Sequence, residues 1–194
     1  MLNNQTQNKY ISGDEVSKSV GGQISNLDAE RADELEDLLL LRKAKDKTLT
    51  REYNRLLSVL GASHPRSLKL LNKMDVNRSL MNDLAAEAVR ARATIPDPNP
   101  NGWVLWGFVR DKNLRGVAKV AVALYTQGGN EAKDLGTATT NEDGHFRLDA
   151  DGGLITKYPL VQARVGDGAS TIHSDDNLLQ PKIGRVDYLE MVVT

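Results

Sequence analysis

The chain has 194 residues, no cysteine, and 25 basic against 26 acidic residues. That length fits one medium domain or two small ones. Without cysteine there are no disulfides, thiolate metal sites or cysteine nucleophiles, and the near-zero net charge argues against nucleic-acid capture by a basic stripe.

Residues 1–25 are polar, rich in Asn, Gln, Ser and Gly. They hold too little apolar surface to offset the entropy of ordering, which predicts a flexible tail. Tyr10 and Ile11 mark the place where that tail could dock on a partner. No segment has signal-peptide character, and none approaches the roughly 20 apolar residues that span a bilayer. A soluble, cytoplasmic protein is expected.

Residues 26–93 are rich in Leu, Ala, Glu, Lys and Arg and nearly free of Gly and Pro, which predicts a helical hairpin. The first helix is expected to start at Asn26 as its N-cap, with Asp28 and Glu30 in its first turn. Ala32, Leu35, Leu39, Arg42, Asp46, Leu49, Tyr53, Leu56 and Leu60 recur in steps of three and four, a heptad seam. "GASHPRS" breaks the helix: Gly61 suits the C-cap, Ser63 the next N-cap, and Pro65 a first helical turn. His64 in this turn suits a polar capping role. The second helix has its own seam of Leu70, Met74, Asn77, Met81, Leu84 and Ala88. A short turn between two such helices makes them antiparallel, so that Asn77 falls opposite the stretch from Arg42 and Asp46 to Leu49. Arg42, Asp46 and Asn77 would then form a polar layer, either self-paired and solvated or fixing register and subunit number. Leu38, Leu40, Leu57 and Val59 on one helix, and Leu68, Leu71, Val76 and Leu80 on the other, fall off the seams. They call for cover from the C-terminal half or from further copies of the hairpin.

"TIPDPNPNG", residues 94–102, has three alternating prolines and reads as a stiff linker between two parts. Beyond it, Val, Thr and Gly rise and turn signals recur about every ten residues. "WVLWGFV", "VAKVAVALY", "LGTATT", "HFRLD", "PLVQARV" and "VDYLEMVV" alternate with those turns, predicting a sandwich of about seven strands over residues 103–194. The fold class expected is α+β in two segregated parts, an antiparallel coiled-coil-like hairpin followed by an all-β sandwich.

The order of residues in "GFVRDKNLRGVAKVAVALY…LGTATTNEDGHFRL" resembles the carboxypeptidase regulatory-like domains, the transthyretin-like or prealbumin-like β-sandwich. The matching positions are Gly107 and Val109, then Val120, Val122 and Leu124, then Asp143, Gly144 and Phe146. The pairing of a hairpin carrying Leu60, Gly61, His64 and Pro65 with such a sandwich resembles a small bacterial family. The resemblance implies a binding or scaffolding module more than a catalyst. The Cna-B type sandwich with a Lys–Asn isopeptide bond is set aside, because "VDYLEMVVT" offers no Asn.

"TTNEDGHFRL" carries an Asp-Gly hairpin signal at Asp143 and Gly144, and its acids read as turn residues. "DADGG", Asp149 to Gly153, lacks the distal Glu of a calcium loop. The three histidines, His64, His145 and His173, show no metal-ligand pairing. His145 is expected to face solvent while Phe146 enters the core. Consecutive His173, Ser174 and Asp175 cannot form a catalytic triad, which needs groups from separate segments. On the first strand, Leu105, Gly107 and Val109 are expected to face the core and Trp106 and Phe108 to face outward. Trp106 and Phe108 would then be covered by the hairpin or linker, or would form a partner or oligomer surface that Tyr125 extends.

The reading is a non-enzymatic structural or adaptor protein with a protein partner or copies of itself. No cofactor, nucleic acid or membrane span is implied, and a small ligand is not the expected partner. A carbohydrate- or small-ligand-binding sandwich is the alternative. A hydrolase would have to draw on His145, His173 and Arg147.

Overall fold

The computed structural model describes residues 13–166 and 171–193, so the docking element at Tyr10 and Ile11 lies outside the described residues. Two long helices, α1 (Gly13–Leu60) and α2 (Pro65–Arg92), are followed by strands β1 (Gly102–Arg110), β2 (Ala121–Thr126), β3 (Thr137–Thr139) and β4 (His145–Asp151). A one-turn helix α3 (Gly152–Ile155) and strands β5 (Val161–Gly166), β6 (Thr171–Leu179) and β7 (Arg185–Val192) follow among the described residues. The result is an α+β arrangement of a helix pair and a seven-strand, two-sheet sandwich. Among the described residues no helix is long and apolar enough to cross a membrane.

α1 begins at Gly13, not at Asn26, so half of the expected tail is helix and Asn26 lies inside it. Gly21 and Gly22 each cost about 1 kcal/mol relative to alanine. Extending a nucleated helix adds one hydrogen bond per residue, so the helix runs through them. At the other end Gly61 takes φ +81° and its N–H closes on the Leu57 carbonyl at 3.1 Å. The cap of α2 is His64 and not Ser63. Leu68 N–H donates to the His64 carbonyl at 3.1 Å, which makes His64 the residue before the first helical turn. Its Nδ1 accepts from Arg66 N–H at 3.2 Å, and Pro65 follows at the first helical position.

In the first sheet β1 lies between β4 and β7, antiparallel to β4 and parallel to β7. The second sheet runs β3, β2, β5, β6. The core between them holds Trp103, Leu105, Val109, Phe146, Leu148, Leu189 and Met191 from the first sheet. Val122, Leu124, Val161, Ala163 and Val165 face them from the second. Gly107 sits at the β1–β7 contact, where an added Cβ would lie 1.7 Å from the Leu189 carbonyl oxygen. β6 has no counterpart among the predicted strands. Its sequence "TIHSDDNLL" is polar and mostly exposed, which suits the sheet edge it occupies.

β1 is buried along its whole length, on both faces. The sandwich core covers one face. The last turns of α2 reach over the other, and this is where the two parts of the molecule join.

Candidate functional site

The densest cluster of aromatic and charged side chains lies on the outer face of the first sheet, under α2. Strand alternation sends Trp106, Phe108 and Arg110 to this face from β1. Register then places Arg147 and His145 beside them on β4, and Tyr188 and Glu190 on β7. Trp106 meets Tyr188 edge-on at 5.0 Å between ring centroids, and His145 at 6.0 Å. Phe108 meets the same imidazole at 5.4 Å.

Trp106 and Phe108 are therefore buried, which agrees with cover by the chain's own hairpin or linker and not with the alternative of an exposed partner or oligomer surface. Tyr125 does not extend that face. It stands on β2 in the other sheet, with the Arg164 guanidinium 4.3 Å over its ring. His145 is corrected as well. Phe146 does enter the core, but His145 packs against two aromatic rings instead of facing solvent. Its burial pushes the imidazole pKa down, with Asp143 pulling it up and Arg147 pushing it further down.

Arg110 holds the joint. Its side chain is 1 % exposed, and its Nε donates to Glu190 Oε1 at 2.7 Å. Nη1 donates to the Leu114 carbonyl at 3.0 Å and Nη2 to the Ala86 carbonyl of α2 at 3.2 Å. The guanidinium also lies 4.8 Å over the Phe108 ring. The other oxygen of Glu190 accepts from Arg90 of α2 and from the Tyr188 hydroxyl at 2.7 Å. Arg90 in turn pairs with Glu87. Burial alone would raise the Glu190 carboxyl pKa, but the Tyr188 and Arg90 hydrogen bonds and the two arginine charges outweigh it and hold it below the usual carboxylate range. Burial, and donation to that carboxylate, push the Tyr188 hydroxyl pKa up. An open cavity of about 250 Å³ beside the cluster is lined by Asp28, Arg31, Glu87, Arg90, Trp106 and Tyr188. Arg31 and Arg90 there are both paired with Glu87. Arg110, Glu190, Arg90 and Tyr188 were not singled out from sequence. The available signal was a lone arginine ending an apolar strand.

In the hairpin seam, Asn77 is 2 % exposed and its Nδ2 donates to the Arg42 carbonyl at 3.2 Å. Asp46 lies 3.7 Å from the Arg78 guanidinium. The Asn77 Oδ1 is buried without a hydrogen-bond partner. Away from the seam, Leu38, Leu40, Leu57, Val59, Leu68, Val76 and Leu80 remain exposed, and the sandwich covers none of them.

The remaining chemistry candidates have local roles. "TTNEDGHFRL" makes a tight turn in which Gly144 N–H donates to the Asn141 carbonyl at 3.0 Å, with Gly144 at φ +75°. Asn141 Oδ1 accepts from the N–H groups of Asp143 and His145. The turn is not the hairpin that Asp-Gly suggests, because β3 and β4 belong to different sheets. Its glycine is needed for another reason: the loop tucks against β1, and a Cβ would lie 2.3 Å from the Val109 carbonyl oxygen. Asp149 pairs with Arg147 through both oxygens at 2.8 Å, and Asp151 caps α3. His173 is on β6, in the sheet opposite His145 and Arg147. Among the described residues no three His, Asp or Glu side chains gather as metal ligands.

No family model matches this chain, and no curated protein does. Among solved structures it is similar to BcpA, the major pilin subunit of Bacillus cereus, at 12 % identity and TM-score 0.33, over 48 % of this chain and 30 % of the pilin. The chain thus spans less than a third of that pilin's length. It is also similar to the dioxygenase domain of a dioxygenase carbohydrate-binding protein fusion from Streptomyces sp. SirexAA-E, at 14 % identity and TM-score 0.32, over 52 % of this chain and 82 % of that one. Chlorocatechol 1,2-dioxygenase from Pseudomonas putida shows 11 % identity and TM-score 0.31, over 78 % and 98 %. Likeness this slight carries no function across.

Proposed function

We propose that this chain is a non-enzymatic structural or adaptor protein. Its helical hairpin carries self-association, and its sandwich, of the carboxypeptidase regulatory-like type, presents loops to a protein partner. The observation that supports this reading is the exposed aliphatic band on the hairpin. A two-helix seam with a polar layer in its middle stabilises itself weakly, and aliphatic side chains left in water favour a further contact. The densest charged cluster, by contrast, is internally paired and ties helix to sheet. The test is the solution mass of the full chain by light scattering across a concentration series, beside Leu38→Glu/Leu41→Glu. Self-association of the wild type, lost in the variant while far-UV circular dichroism is unchanged, is the expected result. A monomer at every concentration refutes the reading.

A further inference from the structure

We infer that one face of the hairpin is a self-complementary surface that pairs two copies of this chain about a two-fold axis, with their hairpins antiparallel. This rests on the self-association reading above and gives it a geometry.

The face follows from the helical register. Written as heptads, the α1 seam puts Leu39, Asp46 and Tyr53 at a and Leu35, Arg42 and Leu49 at d. The α2 seam puts Met74 and Met81 at a and Leu70, Asn77 and Leu84 at d. Arg31 and Glu87, both at g, form an ion pair at 3.4 Å and fix the level of the two helices on that side. One heptad further from the sandwich, the same register sets Leu38 opposite Leu80. Leu41 and Val76, at the adjoining c positions, lie next to them. These four side chains are 49 %, 38 %, 68 % and 55 % exposed in the order Leu38, Leu80, Leu41, Val76. They form one aliphatic patch in the middle of one face.

Charge then selects the occupant. On the sandwich side of the patch the same c and g rows carry Glu34 and Asp83, and then Arg31, Glu87 and Arg90, which are paired within the chain; on the turn side they carry Lys45, Lys73 and Lys69, and then Glu52, Arg55 and Arg66. Glu34, Asp83 and the three lysines make no ion pair among the described residues. Within one chain Lys45 stands level with Lys73, so the nearest cross-helix neighbour on this face is a like charge. Both helices share one midpoint, between Leu38 and Leu41 on α1 and between Val76 and Leu80 on α2. A two-fold axis through that level, perpendicular to the helices, lays α1 on α1 and α2 on α2. Leu38 then meets the partner's Leu41, and Val76 meets the partner's Leu80. Glu34 meets the partner's Lys45 and Asp83 the partner's Lys73. The parallel two-fold arrangement sets Glu34 beside the partner's Asp83 and Lys45 beside the partner's Lys73, which repels. An unrelated partner has no reason to satisfy four positions with one axis; a second copy does so by symmetry.

The test uses the full chain. Sedimentation equilibrium should give a dimer. Glu34→Lys with Asp83→Lys should weaken it at least about tenfold, which is about 1.4 kcal/mol of like-charge contact. Adding Lys45→Glu and Lys73→Glu to that variant should restore it. The native chain has no cysteine, so Thr48→Cys, at an exposed c position, takes a single spin label. Thr48 lies eight to nine residues from the axis, so antiparallel pairing separates two labels by about 25 Å along the helices at 1.5 Å per residue. Parallel pairing leaves them within about 15 Å, across neighbouring helices. An oligomer that ignores the charge reversal, or that shows the short distance, overturns this pairing and leaves self-association standing. A monomer throughout overturns both.

Discussion

The joint between helix and sheet makes an asymmetric prediction about two substitutions at one ion pair. Glu190→Gln keeps the shape but leaves Arg110, 1 % exposed, facing two carbonyl oxygens and a phenyl ring with no anion. A guanidinium cannot shed its charge at accessible pH. Breaking a buried pair in this way costs about 3–5 kcal/mol. Arg110→Met removes the cation and keeps much of the apolar stem. The Glu190 carboxylate then still accepts from Arg90 and Tyr188. The loss there is that of charge-assisted hydrogen bonds partly replaced by packing, about 2 kcal/mol. Urea unfolding at neutral pH, followed by far-UV circular dichroism and by tryptophan fluorescence, measures both. Glu190→Gln should be the worse by about 2 kcal/mol, the difference between these two costs. The pH dependence follows from the depressed Glu190 pKa. Stability gained by a carboxylate bound more tightly to its partners in the folded state is complete above the ordinary value of about 4.3 and is lost as pH falls through the lower folded value. The gap between wild type and Glu190→Gln should therefore narrow only in that acid window. Equal losses for the two substitutions, or a gap that closes near neutral pH, would refute the account of Arg110 as a buried cation held by Glu190.

Other outcomes can be checked alongside. Gly107→Ala should cost more than about 4 kcal/mol or abolish soluble expression, because its Cβ would enter the Leu189 carbonyl and force β1 from β7; a melting temperature near wild type would disprove the close approach. Asn77→Leu should raise the unfolding free energy by about 1 kcal/mol, since it removes a buried amide oxygen that lacks a partner. That comparison is made at fixed protein concentration, because self-association adds to apparent stability. His145 has a folded pKa below the ordinary value of about 6.5, so the stability it contributes is complete above that value and is lost as pH falls through the folded one. His145→Phe should flatten the decline measured between pH 7.5 and 5.5; an unchanged slope would place the titrating group elsewhere.

Much of this architecture can be read from residue order. Alternation in "WVLWGFV" assigned Leu105 and Val109 to the core and Trp106 and Phe108 to the other face, and the three-four steps located both helices. The failures share one cause: local signals do not say which distant element arrives. The polar composition of residues 1–25 reads as a tail, yet α1 starts at Gly13 and continues through Gly21 and Gly22 at modest local cost. The Asp-Gly turn reads as a hairpin, but its strands go to separate sheets, a choice made by pairing with β1 and β2 and not by the turn. β6 stayed hidden because an edge strand gains from being polar, which erases the apolar alternation that would reveal it. Arg110 could be seen as an oddity at the end of a hydrophobic strand. Its partners, at Ala86, Leu114 and Glu190, could not be found without the fold.

α2 brings these observations together. Its apolar residues fall on several sides, so no single stripe stands out, and by pattern it is a poor amphipathic helix. Three neighbours account for that pattern better than one. Leu70, Met74 and Leu84 serve the seam with α1. Ala86 and Arg90 serve the outer face of the first sheet, where a small side chain lets the helix backbone come within reach of Arg110. Val76 and Leu80 serve neither, and they lie on the side carrying the unpaired charges. The docked end of α2 holds the sandwich against the hairpin and so fixes where that remaining face points. Weakening the joint should then loosen the sandwich's position without removing the patch. Arg110→Met is accordingly expected to leave the solution mass of the full chain unchanged while lowering its unfolding free energy. A loss of both together would mean that the hairpin face exists only when the sandwich is docked.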